Sequence, residues 1–149
     1  MSYANPPNMK VVSDTIKLQT EGEGDMIDMT SQLSNIVKES KIKNGTVTIF
    51  VLGSTAAVTT IEYESGLIHD FPVMLSRIVP KGIEYEHDNT WHDGNGHSHV
   101  RSSLIGPSIT IPIIHGKLTL GTWQQVVLLE MDTRSRNRTV ILQIMGQRH

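Results

Sequence analysis

The chain contains no cysteine. That excludes disulfide staples, thiolate nucleophiles and every zinc site built on sulfur. Aromatic side chains are scarce, at 5% of the residues, so a core has to be assembled mainly from Ile, Val, Leu and Met. No apolar run approaches the roughly 20 residues that cross a bilayer as a helix, which argues against a membrane partner. Charge of one sign is lacking too. Thirteen Lys and Arg stand against 15 Asp and Glu, a net charge of −2 with histidine neutral, so nothing points to nucleic acid or an anionic membrane as a partner. Residues 1–8 hold two prolines and no apolar stretch, which predicts a loose arm rather than a secretory signal, and a cytoplasmic location. The one basic run, Arg134, Arg136 and Arg138 alternating with Ser135 and Asn137, predicts a solvated hairpin tip.

What is present reads as one domain spanning residues 1–149. Val11, Val12, Ile16 and Leu18 predict a strand over residues 9–20, followed by a Gly/acid turn at Glu21 to Gly24. Asp25 or Asp28 is placed to cap a helix with Met29, Leu33, Ile36 and Val37 on its apolar face, ended by Asn44-Gly45. Thr46 to Leu52 and Thr55 to Tyr63 are β-branched and read as strands. A second helix is predicted between Gly66 and Val79, with Leu67, Phe71, Leu75 and Ile78 on one side. Pro72 could instead mark its first turn. The rest predicts a β-meander over residues 108–114, 117–120, 122–131 and 139–145. The expected class is α+β: a single compact domain, mostly antiparallel sheet or sandwich, with two main helices and one short helix.

Chemistry is concentrated between Tyr85 and His99, YEHDNTWHDGNGHSH, where His87, His92, His97 and His99 alternate with Asp88, Asp93 and Asn95. Imidazole and carboxylate form a ligand set for divalent metals, and the same groups serve as acid–base or anion-binding residues. A long polar loop carrying a buried-type Trp91 is more often functional than idle. Residues 97–105 predict a short helix stopped at Gly106-Pro107. If so, Asp93, Gly94, Asn95 and Gly96 deliver the chain to a helix N-terminus, where free N–H groups favour phosphate or pyrophosphate and the glycines allow close approach. If the segment is a strand instead, His97 and His99 share one face as a ligand pair. Trp123 is expected to pack in a core or an interface.

Longer motifs carry a resemblance. The segments HSHVRSSLIGPSITIPI (97–113), GKLTLGTWQQVVLLEMD (116–132), STAAVTTIEYE (54–64), RNRTVILQIMG (136–146) and the Tyr85…His87 pair resemble the YjbQ-like family, also called secondary thiamine-phosphate synthases. The resemblance implies a homotrimer with sites at or near subunit boundaries. It also implies a transferase that joins a pyrimidine pyrophosphate to a thiazole phosphate with loss of pyrophosphate, its small phosphorylated substrates commonly held with a divalent metal such as zinc or magnesium. On this reading His99, Glu62, Asp93 and Arg101 are the catalytic candidates. Gly94, Asn95, Gly96, Ser54 and Thr55 are the phosphate-binding candidates, and His87, His97 and His99 the metal ligands. Many members carry a histidine just before the small-hydroxyl run, where this chain has Gly53. The alternative function is a non-catalytic homotrimer that binds a metal or anion through the same histidine-rich loop.

Overall fold

The computed structural model describes residues 8–148. The arm expected at the N-terminus falls, except for Asn8, outside the described residues. Two antiparallel sheets account for the strands. One has the order β1(Lys10–Gln19)-β8(Asn137–Gln147)-β3(Asn44–Leu52)-β5(Ser108–Ile114)-β6(Lys117–Leu118). The other has the order β2(Met26–Asp28)-β7(Gln125–Glu130)-β4(Ala56–Ile61). The helices are α1(Thr30–Ser40), α2(Ser65–Ile78), α3(Glu86–Trp91) and α4(Gly96–Ile105). The α+β class is as expected.

The layering follows from side-chain alternation. Val47, Ile49 and Val51 of β3 and Val140, Leu142 and Ile144 of β8 point inward and meet Val126 and Leu128 of β7, with Leu33 and Val37 of α1 in the same core. The intervening residues of β7, Val127 and Leu129, point the other way, into a second core closed by Leu75 and Phe71 of α2 and Ile105 of α4. The small sheet is therefore buried on both faces, which is why β7 is a continuous apolar run instead of an alternating one. The outer face of the large sheet has no such cover, and Phe50, Leu52, Ile114 and Met145 are exposed there.

Several local expectations are corrected. Asn44-Gly45 does not end α1; Lys41, in the left-handed region, does so, and Asn44 opens β3. Gly45 lies opposite Gly146, and a Cβ on it would fall 2.0 Å from the Met145 carbonyl oxygen, so the glycine serves strand approach. The helix α2 runs straight through Pro72 from Ser65, because the Glu64 carboxylate caps it by accepting from the Gly66 and Leu67 amides. The residues expected to form a structureless loop fold in part as α3, and Trp91 is 70% exposed instead of buried. Trp123 is 72% exposed and so is not in the core of this chain. The last strands are not one meander, since β7 leaves the large sheet for the small one.

Candidate functional site

Two short helices meeting at a tight corner build the site. The helix α3 ends at His92, whose left-handed conformation turns the chain into Asp93 and Gly94, itself at φ +67°. Asn95 then starts α4, and the Asp88 carboxylate accepts from the Gly96 amide at 2.8 Å. The protein's own carboxylate thus occupies the first free N–H of α4, the position where the sequence suggested a phosphate. Gly96 has a packing reason as well: a Cβ there would lie 2.6 Å from Tyr85 Cβ.

This corner brings His87 of α3 and His99 of α4 together, ring centroids 4.3 Å apart and tilted by 48°. His87 Nε2 lies 3.5 Å from Asp93 Oδ1. The hydrogen-bond network orients the buried Asn95 amide with its NH2 toward this group, 3.1 Å from His87 Nε2 and 3.0 Å from Asp93 Oδ1. As the donor, Asn95 leaves Nε2 an acceptor and places the proton of the neutral ring on Nδ1. Burial, and then the neighbouring His87, pull the His99 pKa below the ordinary histidine value, while Asp93, Asp132 and Asp88 pull the other way. His99 is therefore mainly uncharged at neutral pH.

The influence of Asp132 on His99 ties the corner to the C-terminal end of β7. Here the arginine run is not a solvated tip. Arg138 is 7% exposed, and its Nε donates to Glu130 Oε2 at 2.7 Å while Nη2 donates to Glu130 Oε1. The same Nη2 donates to Thr55 Oγ1 at 2.8 Å, and Thr55 Oγ1 donates to Asp132 Oδ2 at 3.1 Å. Arg136 Nε reaches the same Asp132 oxygen at 2.7 Å. Burial pushes the Asp132 carboxyl up, but hydrogen bonds from Arg136, the Thr133 amide and Thr55 outweigh it and hold the carboxyl below its usual range. Gly53 borders this network at φ +137°, and a Cβ there would fall 2.6 Å from Arg138 Nη1. A side chain at position 53 would therefore have to displace the Arg138 guanidinium.

Not every expected residue arrives at the corner. Two residues along a helix turn about 200°, so His97 and Arg101 face away from His99. His97 Nε2 sits 3.2 Å from Glu23 Oε1, and Arg101 Nη1 donates to that oxygen at 2.6 Å. Burial lowers the His97 pKa, with Arg101 and Lys81 assisting and Glu23 opposing. His97 thus stands apart from His87 and His99, and among the described residues no group of three His, Asp or Glu converges to hold a metal. Glu62 is exposed just past the end of β4, whose six residues span about 20 Å from Thr55. Ser54 and Gly94 are exposed, and Thr55 is the phosphate-binding candidate that reaches the buried network. Missed in the sequence were Asp132, Glu130, Arg138 and Glu23. A glutamate and an arginine alternating into otherwise apolar strands was the available signal for Glu130 and Arg138.

The comparisons bear on the whole chain. The family described as "UPF0047 protein YjbQ-like" matches residues 14–147. A UPF0047 protein of Methanothermobacter thermautotrophicus is 37% identical over 139 residues, covering 93% of this chain and 95% of its own. Among solved structures, a YbjQ-like protein of unknown function from Sulfolobus solfataricus P2 superposes with a TM-score of 0.88 at 34% identity, covering 94% of this chain and all of its own. A hypothetical protein from Aeropyrum pernix K1 follows the same fold at a TM-score of 0.83 and 31% identity, covering 91% and 99%.

Proposed function

Since the chain belongs to the YjbQ-like UPF0047 family, we propose that it is a transferase acting on small phosphorylated substrates at the corner between α3 and α4. The single observation that carries this reading is the His87–His99 pair beside Asp93, with an ionised Asp132 acting on the same ring. The N–H groups of His99, which is mainly uncharged at neutral pH, and of His87 beside Asp93 suit hydrogen bonding to a developing oxyanion. The reaction of thiamine-phosphate-synthase type comes from the resemblance. In it a carbon–nitrogen bond forms between the pyrimidine and thiazole units as the carbon–oxygen bond to pyrophosphate breaks. In this account the uncharged His99 donates an N–H hydrogen bond to the departing pyrophosphate, and His87, aligned by Asn95, is the second donor. Ser54, exposed at the adjoining strand start, can donate its hydroxyl to a phosphate oxygen, whereas the buried Thr55 hydroxyl already donates to Asp132.

A divalent ion, zinc or magnesium, enters the proposal only as a companion of the pyrophosphate, held by Asp93, His87 and His99. No step is routed through it, because these donors do not form a preformed ligand set. Assembly belongs to the proposal too. A homotrimer would cover Phe50, Leu52, Ile114 and Met145, which otherwise leave an apolar face in water. Glu62 takes part only if a neighbouring protomer's corner approaches the far end of β4. Among the described residues no helix is long and apolar enough to cross a membrane.

The test is turnover. The purified chain, given a pyrimidine pyrophosphate, a thiazole phosphate and magnesium, is expected to release pyrophosphate and form the condensed phosphate. His99→Ala is expected to slow this by about 10²–10³-fold, the usual share of an oxyanion donor. Equal rates in both proteins, or no product in either, would overturn the reading. Sedimentation at the 16.6 kDa chain mass instead of three times it would remove the trimer.

A further inference from the structure

Where β6 forms the edge of the large sheet, a cleft of about 680 Å³ lies between α1, the turn joining β5 to β6, and residues 120–125. Its cations come from separate segments. Lys38 and Lys41 belong to the last turn and C-cap of α1, Lys43 to the link into β3, and Lys117 to β6, beside His115 of the turn. Lys43 lies across that turn, its Nζ 3.8 Å from where a Cβ on Gly116 would be. Its ammonium is thereby held beside the segment that carries His115 and Lys117.

The balance of charge selects the ligand. No Asp or Glu lines the cleft, and among the described residues the one lysine in an ion pair is Lys81, with Glu23. The carbonyls at the end of α1 amount to about half a negative charge, which a single lysine offsets. Glu39 projects from the next face of α1 into a different groove, with Gln32 and Ile36. Asp28 accepts from Thr30 at the start of α1. That is about 15 Å along the helix from Ser40, beyond the roughly 8 Å reach of an exposed charge at physiological salt. The basic end therefore keeps a surplus of about three positive charges. The volume falls within the range of about 300–1,000 Å³ usual for small-molecule sites. No Phe, Tyr or Trp lines the walls to stack on a base, while Ser34, Asn35 and Thr122 supply neutral polar groups.

We propose that this cleft is a second binding site, for a small polyanion with two or more phosphate groups, carried on a linear oligophosphate or on a sugar. The phosphates sit on Lys38, Lys41, Lys43 and Lys117, and the neutral part meets Ser34 and Thr122. The cleft shares no residue with the α3–α4 corner and stands whether or not the transferase reading does.

Inorganic triphosphate and fructose bisphosphate are the probes, with inorganic phosphate as the reference. They are titrated into the full chain without magnesium, at about 0.15 M salt, and followed by amide chemical shifts. At least one probe is expected to bind saturably, with shifts centred on residues 38–43 and 115–117, and at least about tenfold more tightly than phosphate. The tighter of the two identifies the carrier. Lys43→Glu, Lys117→Glu should weaken that binding by at least about tenfold. Lys10→Glu, Lys17→Glu changes the net charge equally on β1, at the opposite edge of the sheet about 19 Å away, and should leave the affinity within about twofold. All four lysines are exposed, so neither double variant disturbs the core. Equal weakening in the two variants, no saturation, or affinity no better than that of phosphate for either probe would overturn the proposal. Shifts confined to His87, Asn95 and His99 would overturn it as well, and would favour the corner instead.

Discussion

Replacing Arg138 by methionine tests how firmly the buried network holds the site. The guanidinium makes a two-pronged contact with Glu130, which is 1% exposed, and a further bond to Thr55. Methionine fills much of the same volume but takes away the positive charge. Glu130 would then keep only the Thr20 hydroxyl at 2.8 Å and the Asp132 amide at 2.9 Å. Breaking a buried ion pair by removing one partner costs about 3–5 kcal/mol, because the remaining charge is stranded. Urea unfolding followed by circular dichroism measures the loss. Both proteins must be at one concentration, since the proposed assembly would make apparent stability depend on it. The double variant Arg138→Met, Glu130→Met should recover most of the loss, because two apolar side chains leave no stranded charge. A loss below about 1 kcal/mol in the single variant, or no recovery in the double, would refute the reasoning.

Three further outcomes follow from particular residues. Gly53→Ala should lower stability by about 1–3 kcal/mol in the same unfolding assay, since it combines a backbone conformation that side chains avoid with a Cβ 2.6 Å from Arg138 Nη1. Gly96→Ala should cost about 1–3 kcal/mol and lower turnover as well, because its Cβ collides with Tyr85 and separates α3 from α4; unchanged turnover would show that the corner tolerates displacement. The lowered pKa of His97 means that, as pH falls below about 6.5, the unfolded chain takes up a proton that the folded chain resists. Stability from this group is therefore full above about pH 6.5 and is lost as pH falls through the folded value. The melting temperature should drop between pH 7.5 and 5, with a shallower drop in His97→Asn.

Where the sequence was legible, a periodic pattern met a single environment. The strand β1, from an imperfect alternation, β3, from its β-branched run, and the Leu33/Val37 face of α1 were legible in the sequence. The extent of α2 was obscured by Pro72, and its start depended on a cap from Glu64 that only the folded turn reveals. Of the site, the crowding of His87, Asp93, Asn95 and His99 was visible in the sequence, and the fold brings those residues together. His97 was drawn to them by proximity in the chain, yet helical geometry turns it away. Glu23 joins His97 from 74 residues back along the chain, a separation no local pattern reports. Arg138 was misjudged for a related reason: its neighbours Arg134 and Ser135 are exposed, but one further strand residue points inward to Glu130.

The most direct test of the central claim follows the histidine rings themselves during a titration with magnesium pyrophosphate. If the corner between α3 and α4 holds the leaving group, the His87 and His99 ring signals shift together and saturate, while those of the remote, exposed His69 stay in place. Shifts spread evenly over the exposed histidines, or none at His87 and His99 at saturating pyrophosphate, would contradict it.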